Sequence, residues 1–260
     1  MKKVWSQQET EYLIANYEFK RTDELLSVLK NKTNDQLRWK AKEFKLKKKV
    51  TRSKSDISFL ENFDDPESLY WWGFLTADGC ITRKQIIFSL EEKDKDYVIK
   101  FAEKCKAKVK YVTRTNPWHK TPYTMARMVV NDIFTIDRLM KKLSIKPQKT
   151  YNPFDLSVFL TEMRLKYFIA GLVDGDGHIS GDANIRIKVH PNWHQTFDLI
   201  SEKLNSNYGM ATTSYLTPEN WAVLSLPKRD SIKLYLLVKE AVPIMDRKWG
   251  KLSIFPNNQL

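Results

Sequence analysis

Cysteine is scarce in this chain. Its 260 residues include two, Cys80 and Cys105, set apart and without a CxxC or Cys/His cluster around them. That arrangement excludes a disulfide framework and a zinc site. The four histidines, His119, His178, His190 and His194, have no ligand spacing either. No apolar run reaches the length of a membrane span, and the opening Met-Lys-Lys-Val-Trp lacks the apolar stretch of a signal peptide. A soluble, intracellular, cytoplasmic protein is therefore expected. Neither a nucleophile at residue 1 nor a closing His-Asn is present, which argues against a splicing intein.

Acidic residues are also in short supply. Lys plus Arg total 44 against 31 Asp plus Glu, a formal charge of +13. Such an excess implies a polyanionic partner, nucleic acid first and an anionic membrane surface second. The excess is uneven. Residues 1–54 carry 15 basic and 7 acidic side chains, and the other 206 carry 29 and 24. The first segment thus calls for a binding role of its own. Hydrophobic residues make up 42% of the chain and aromatics 12%, enough for a substantial core.

Two stretches organise the rest. Trp72-Gly73-Phe74-Leu75-Thr76-Ala77-Asp78-Gly79 is echoed by Ala170-Gly171-Leu172-Val173-Asp174-Gly175-Asp176-Gly177. Each is an apolar helical run with small residues four apart, Gly73 and Ala77 in one copy, Gly171 and Gly175 in the other. Small residues at that spacing let two helix backbones approach closely. Packed together, the runs would deliver Asp78 and Asp176 side by side. An acid in the last turn of a helix meets the negative end of the helix dipole, and two such acids repel. A bound divalent cation relieves both problems and suits chemistry on a phosphate.

The elements around the motifs repeat. A helix is expected from Asp65, with Pro66 at its first position, up to the first motif. Strand-like runs follow at Ile86–Leu90, Ala107–Arg114 and Met125–Asn131, with helical patterns at Asp94–Cys105 and Ile133–Leu143. A second round shows a helix over Thr161–Val173, a strand over Ala183–His190, a helix over Gln195–Leu204, strands over Met210–Tyr215 and Trp221–Leu226, and a helix over Asp230–Val238. Lys149 and Lys248 close the two rounds. Asp78 and Asp176 lie 98 residues apart, and Lys149 and Lys248 lie 99 apart. A repeat this regular implies duplicated, pseudo-twofold halves. Along Ile185–His190 the polar Arg186, Lys188 and His190 alternate with apolar residues, and Lys108, Lys110 and Arg114 share a face opposite Val109 and Tyr111. With Arg127 on the third strand run, they form basic rows suited to DNA.

Residues 1–46 read as three short helices. Ser6 with Glu9 and Thr33 with Gln36 make capping-box patterns. Leu13, Ile14 and Tyr17 give the first helix an apolar face that Trp5 seals. Leu25, Leu26, Val28 and Leu29 fill the second, and Leu37, Ala41 and Phe44 line the third. On that third helix Arg38, Lys42 and Lys45 share another face, with Asn34 near its start, as a helix entering a major groove would have. The segment resembles Myb/SANT-like or phage-type helix-turn-helix modules. It lacks a Myb-type tryptophan at the start of the third helix, although Trp39 lies within it. The expected division is 1–46 for this module, 47–58 for a basic linker, 59–157 for the first half and 158–260 for the second.

The paired motifs resemble those of the LAGLIDADG homing endonucleases of the single-chain, two-motif type, over roughly residues 65–255. Ile169 to Gly177 is close to the family pattern. In the first motif Trp71 and Trp72 replace the leading Leu-Ala, and Thr76 replaces the first acid. The resemblance implies an α+β fold of two αββαββα halves forming a DNA-binding saddle, preceded here by the all-α module. It implies a monomeric, Mg²⁺-dependent (or Mn²⁺-dependent) endonuclease cutting both strands of a long asymmetric duplex target. Asp78, Asp176, Gly79 and Gly177 would make up the metal site. Lys149 and Lys248 would stabilise charge on the phosphate or hold the water network. The rival expectations are a DNA-binding regulator without cleavage and an intron maturase binding structured RNA.

Overall fold

The computed structural model describes residues 5–48, 55–115 and 120–255. Half of the expected linker (residues 49–54) and His119 lie outside the described residues.

Three short helices open the chain: α1 (Gln7–Asn16), α2 (Thr22–Val28) and α3 (Asn34–Glu43). Both capping boxes form. Glu9 N–H donates to Ser6 Oγ at 3.1 Å while Ser6 N–H donates to Glu9 Oε2 at 2.8 Å. Thr33 and Gln36 exchange the same pair of bonds at 2.9 and 3.3 Å. Leu13, Leu25, Leu29 and Leu37 form the core of this module, with Trp5 and Tyr17 packed on it. Lys32 is buried beneath Trp5 and pairs with Glu9 at 2.9 Å. That bond from Lys32 holds the Glu9 carboxyl down to about 2. Val28 and Phe44, expected inside, are exposed. Three leucine-rich helix faces already close so small a core.

The remaining residues build two halves of the same design. The first has α4 (Pro66–Ala77), β1 (Cys80–Ile81), β2 (Ile86–Glu91), α5 (Lys95–Lys104), β3 (Val109–Thr115), β4 (Pro122–Val130) and α6 (Ile133–Lys142). The second has α7 (Glu162–Asp176), β5 (Gly177–Ile179), β6 (Ile185–Val189), α8 (His194–Tyr208), β7 (Thr213–Leu216), β8 (Ala222–Leu226), α9 (Lys228–Val238) and α10 (Asp246–Ser253). The sheets run β1-β2-β4-β3 and β5-β6-β8-β7, all antiparallel. Identical strand order in both halves is the fold-level form of the sequence repeat.

The helices α4 and α7 form the seam. A Cβ added to Gly73 would lie 1.9 Å from the Phe168 carbonyl oxygen, and one on Gly171 1.9 Å from that of Tyr70. A Cβ on Gly175 would lie 2.1 Å from that of Ala77. Backbone touches backbone here, so nothing larger than hydrogen fits. The bulky departures in the first motif point away from this contact. Trp71 packs on Phe88 and Phe101, and Trp72 stacks on Phe63 and donates its Nε1–H to the Leu60 carbonyl at 2.8 Å. Ile57 and Leu60, ahead of α4, are already part of the main core.

Several expectations shift. The strands β1 and β5 follow the motifs directly and are too short to show a period in sequence. The helix α7 continues to Asp176 itself. β7 starts at Thr213, because the Ala211 N–H is held by Asp230 at 2.7 Å and Thr212 by Ser201, on the helix side. The closing segment becomes α10. Lys108 precedes β3. His190 lies outside β6: it caps the turn Pro191–Trp193, its Nδ1 accepting from Asn192 N–H at 3.3 Å.

Gly171→Ala must push the seam apart. It is expected to cost about 1–3 kcal/mol or more and lower the thermal midpoint by several degrees. A melt indistinguishable from that of the unchanged protein would contradict this packing.

Candidate active site

The seam ends in charge. Asp78 follows the last residue of α4, and its N–H still donates to the Phe74 carbonyl at 2.9 Å. Asp176 is the last residue of α7. Both side chains reach solvent, yet protein crowds their carboxyl groups. Asp78 is pushed up to about 6, first by loss of water and then by the charge of Asp176, while Lys248 and Lys149 pull the other way. Asp176 is also raised by loss of water and opposed by the same two lysines. Two acids and two lysines thus share one electrostatic site.

The lysines have a definite local task. Lys149 is buried and donates to the Ala77 carbonyl at 3.0 Å and to that of Thr76. Lys248 donates to the carbonyls of Val173 (3.0 Å), Asp174 (2.7 Å), Gly175 (3.0 Å) and Gly177 (2.9 Å). Each ammonium caps the C-terminus of the motif helix in its own half. There it satisfies carbonyls that lack intrahelical partners and offsets the negative helix end. Burial lowers both lysines, Lys149 to about 8. Thr76 and Ala77 in one half correspond to Asp174 and Gly175 in the other, so the capping repeats with the chain. This role was invisible in the sequence, where the matched offsets marked the lysines but not their partners.

Asp174 was missed as a key residue. It is fully buried, accepting from Tyr70 Oη (2.8 Å), Trp249 Nε1 (2.7 Å) and Met245 N–H (3.0 Å), and burial pushes it up to about 7. It ties α7 to α4 and to the segment that carries Lys248. Its counterpart Thr76 turns its hydroxyl back to the Trp72 carbonyl at 2.7 Å. The signal was present: one motif has two acids and the other has one.

A groove flanks the seam on each side. One brings Asp176 together with Thr76, Thr150, Lys188, His190 and Trp221. The other brings Asp78 together with Glu91, Lys93, Asp94 and Arg247, the last two paired through both oxygens at 2.6 Å. Further out, Arg186 and Lys188 are exposed on one face of β6. Lys110 and Arg114 are exposed along β3 and Lys108 just ahead of it, and Arg127 lies directly across from Lys110. His190 meets the Tyr151 ring edge-on at 4.8 Å and sits apart from the Arg186 and Lys188 row. Asn34, Arg38 and Lys42 are exposed on α3, and Lys45 just beyond it.

Among the described residues no group of three or more His, Cys, Asp or Glu side chains is placed to hold a metal ion. The pair Asp78 and Asp176 offers two hard oxygen donors. That set fits Mg²⁺, which keeps several waters and takes further oxygens from a phosphate substrate. The Gly177 carbonyl is already engaged by Lys248. Among the described residues no helix is long and apolar enough to cross a membrane.

Two αββαββα halves joined at an acid-tipped helix seam constitute the LAGLIDADG type of fold. No family model and no curated protein matches the chain. Among solved structures it is similar to the homing endonuclease I-WcaI bound to its DNA recognition sequence, with a TM-score of 0.52 and 13% identity over 76% of this chain and 93% of that one. It is similar to I-DmoI in complex with DNA and calcium, with a TM-score of 0.47 and 16% identity over 72% and 96% of the two chains. It is also similar to full-length WhiA from Thermotoga maritima, with a TM-score of 0.44 and 14% identity over 79% and 66%. At these identities the likeness is one of fold.

A pH dependence follows. Asp78 and Asp176 hold protons more tightly folded than unfolded. Ionising them therefore costs stability, which falls as pH rises from the ordinary carboxylate range, near 3.8, through about 6 for Asp78. A divalent cation held by this pair would need both groups ionised, so any thermal-midpoint gain from Mg²⁺ should be small at pH 5 and grow to pH 7. A gain independent of pH, or one retained in Asp78→Asn, would contradict the assignment.

Proposed function

We propose that the chain is a site-specific endonuclease that hydrolyses both strands of a long, asymmetric duplex DNA target with Mg²⁺. The observation that carries this reading is the pair of carboxylates at the end of the seam, both raised in pKa by loss of water, Asp78 further by the charge of Asp176. The net charge of +13 and the basic rows on the sheets suit a DNA partner.

In this reading Asp78 and Asp176 would hold divalent ions, which when bound would supply activation of the attacking water and stabilisation of the leaving oxygen. The chain does the rest. Lys149 and Lys248 hold the two helix ends so that the carboxylates keep one geometry, and their positive charge favours an approaching phosphate. Asp174 braces α7 and the α10 segment on Tyr70. The N-terminal helices add a second DNA-binding unit, whose tethering raises effective affinity without new contacts at the site of cleavage. The protein acts as a monomer, because both acids are present in one chain.

A second reading has one specific observation in its favour. Two ammonium groups already stand beside the two acids, which lessens the need for a cation. A DNA-binding regulator that does not cut would be built this way.

The deciding experiment is a cleavage screen of a randomised duplex library with Mg²⁺. The endonuclease reading expects double-strand breaks at one sequence, abolished by Asp78→Asn and by Asp176→Asn, with affinity for that duplex retained. Specific binding without breaks would replace it with the regulator. Breaks that persist at full rate in Asp176→Asn would overturn the metal-site assignment.

A further inference from the structure

The two sheets are alike in topology and unlike in surface chemistry. The ladder register defines which side chains face away from the helices. In the first half Arg127 of β4 stands directly across from Lys110 of β3 on one side and from Ser89 of β2 on the other. Lys108 and Arg114 lie along the same row at both ends of Lys110. Like charges directly opposite destabilise a sheet unless something answers them. The acid on this face, Glu91, is already paired with Lys93 at 2.5 Å. Arg127 carries a further mark: its Nε–H is shielded from water and has no partner among the described residues. A buried donor left unpaired is costly and points to an absent acceptor.

The second half differs. Arg186 stands across from Ser225, and Lys188 across from Val223, so its two cations oppose neutral side chains. The Lys188 ammonium is drawn over the Trp221 ring at 5.2 Å. The outward row continues through Tyr215, which faces Val223. Tyr215 and Trp221 are 41% and 42% exposed, a large apolar area for a surface with no partner in place. The ribbons also differ in reach. β3 and β4 pair over seven residues, and β7 and β8 over four. At about 3.4 Å per strand residue the first spans roughly 24 Å and the second roughly 14 Å. At about 3.4 Å per base pair these lengths match roughly seven and four base pairs.

We infer that the two halves read their target unequally. The β3–β4 ribbon is the main base-reading surface and takes a guanine through Arg127, with Lys108, Lys110 and Arg114 on flanking phosphates. The β7–β8 ribbon covers a shorter segment and takes thymine methyl groups through Tyr215 and Trp221. The chemistry fits each assignment. A guanidinium presents paired donors to guanine O6 and N7, and apolar rings contact the thymine methyl. This inference rests on the duplex-DNA reading proposed above.

The test selects duplexes from a randomised library by binding to the full chain in EDTA, so that cleavage plays no part. The bound pool should show a longer conserved block containing guanine on one flank and a shorter block containing thymine on the other. Arg127→Gln should relax the guanine, losing about 10- to 100-fold on the selected site, and leave the other flank intact. Trp221→Ala should do the reverse. An Arg127→Gln pool identical to that of the unchanged protein overturns the inference while the duplex reading stands. A library from which no duplex is enriched overturns both. If Arg127→Gln fails to fold by circular dichroism, the exposed Lys110→Gln decides. A salt slope reduced by about one supports the phosphate row, and an unchanged slope overturns it.

Discussion

Everything at the centre of this protein depends on backbone contact between α4 and α7. Gly73 and Gly171 allow the two helices to touch carbonyl to Cα. Two helix C-termini then converge, each with partial negative charge, and each tipped by an aspartate. Left alone, that end of the seam would repel itself. The chain answers with Lys149 and Lys248, one ammonium for each helix end. The carboxyl groups of Asp78 and Asp176 remain at the tip, raised in pKa and directed to solvent. The negative charge that remains when both are ionised is of the kind a divalent cation offsets.

Much of this was legible in the residues. The small-residue spacing, the Asp-Gly ends and the offsets of 98 and 99 residues are enough to derive the seam and the repeat. Alternation revealed the longer strands, and capping boxes revealed the N-terminal helices. Other features left no such trace. β1 and β5 are two and three residues long, below any periodicity. The lysine–carbonyl bonds join residues about seventy positions apart, and carbonyl acceptors have no side-chain signature. His190 keeps the alternation of its strand but is followed by Pro191, which turns the chain out of the sheet. Tyr111 also keeps its period yet is exposed, on the edge strand of its sheet.

The halves have diverged around a preserved frame. Asp174 braces α7 with three donors, whereas Thr76 in the equivalent place bonds only to its own helix. Trp71 and Trp72 enlarge the aromatic core of the first half without entering the seam. The groove beside Asp78 holds Glu91, Asp94 and Arg247, and the groove beside Asp176 holds Lys188 and His190. Helix order, strand order and lysine capping are common to both. Divergence reaches both the buried core, at Asp174, Trp71 and Trp72, and the side chains that face the grooves and the outer sheet surfaces.

The most direct test of the central claim is to locate the ion. Crystals of the chain with its selected duplex and Mn²⁺, measured at the manganese absorption edge, would show each ion by anomalous scattering. The account predicts density at the open end of the α4–α7 seam, in contact with Asp78, Asp176 and a backbone phosphate. Manganese bound elsewhere, or a seam closed by Lys149 and Lys248 with the duplex in place and no ion between the acids, would contradict it.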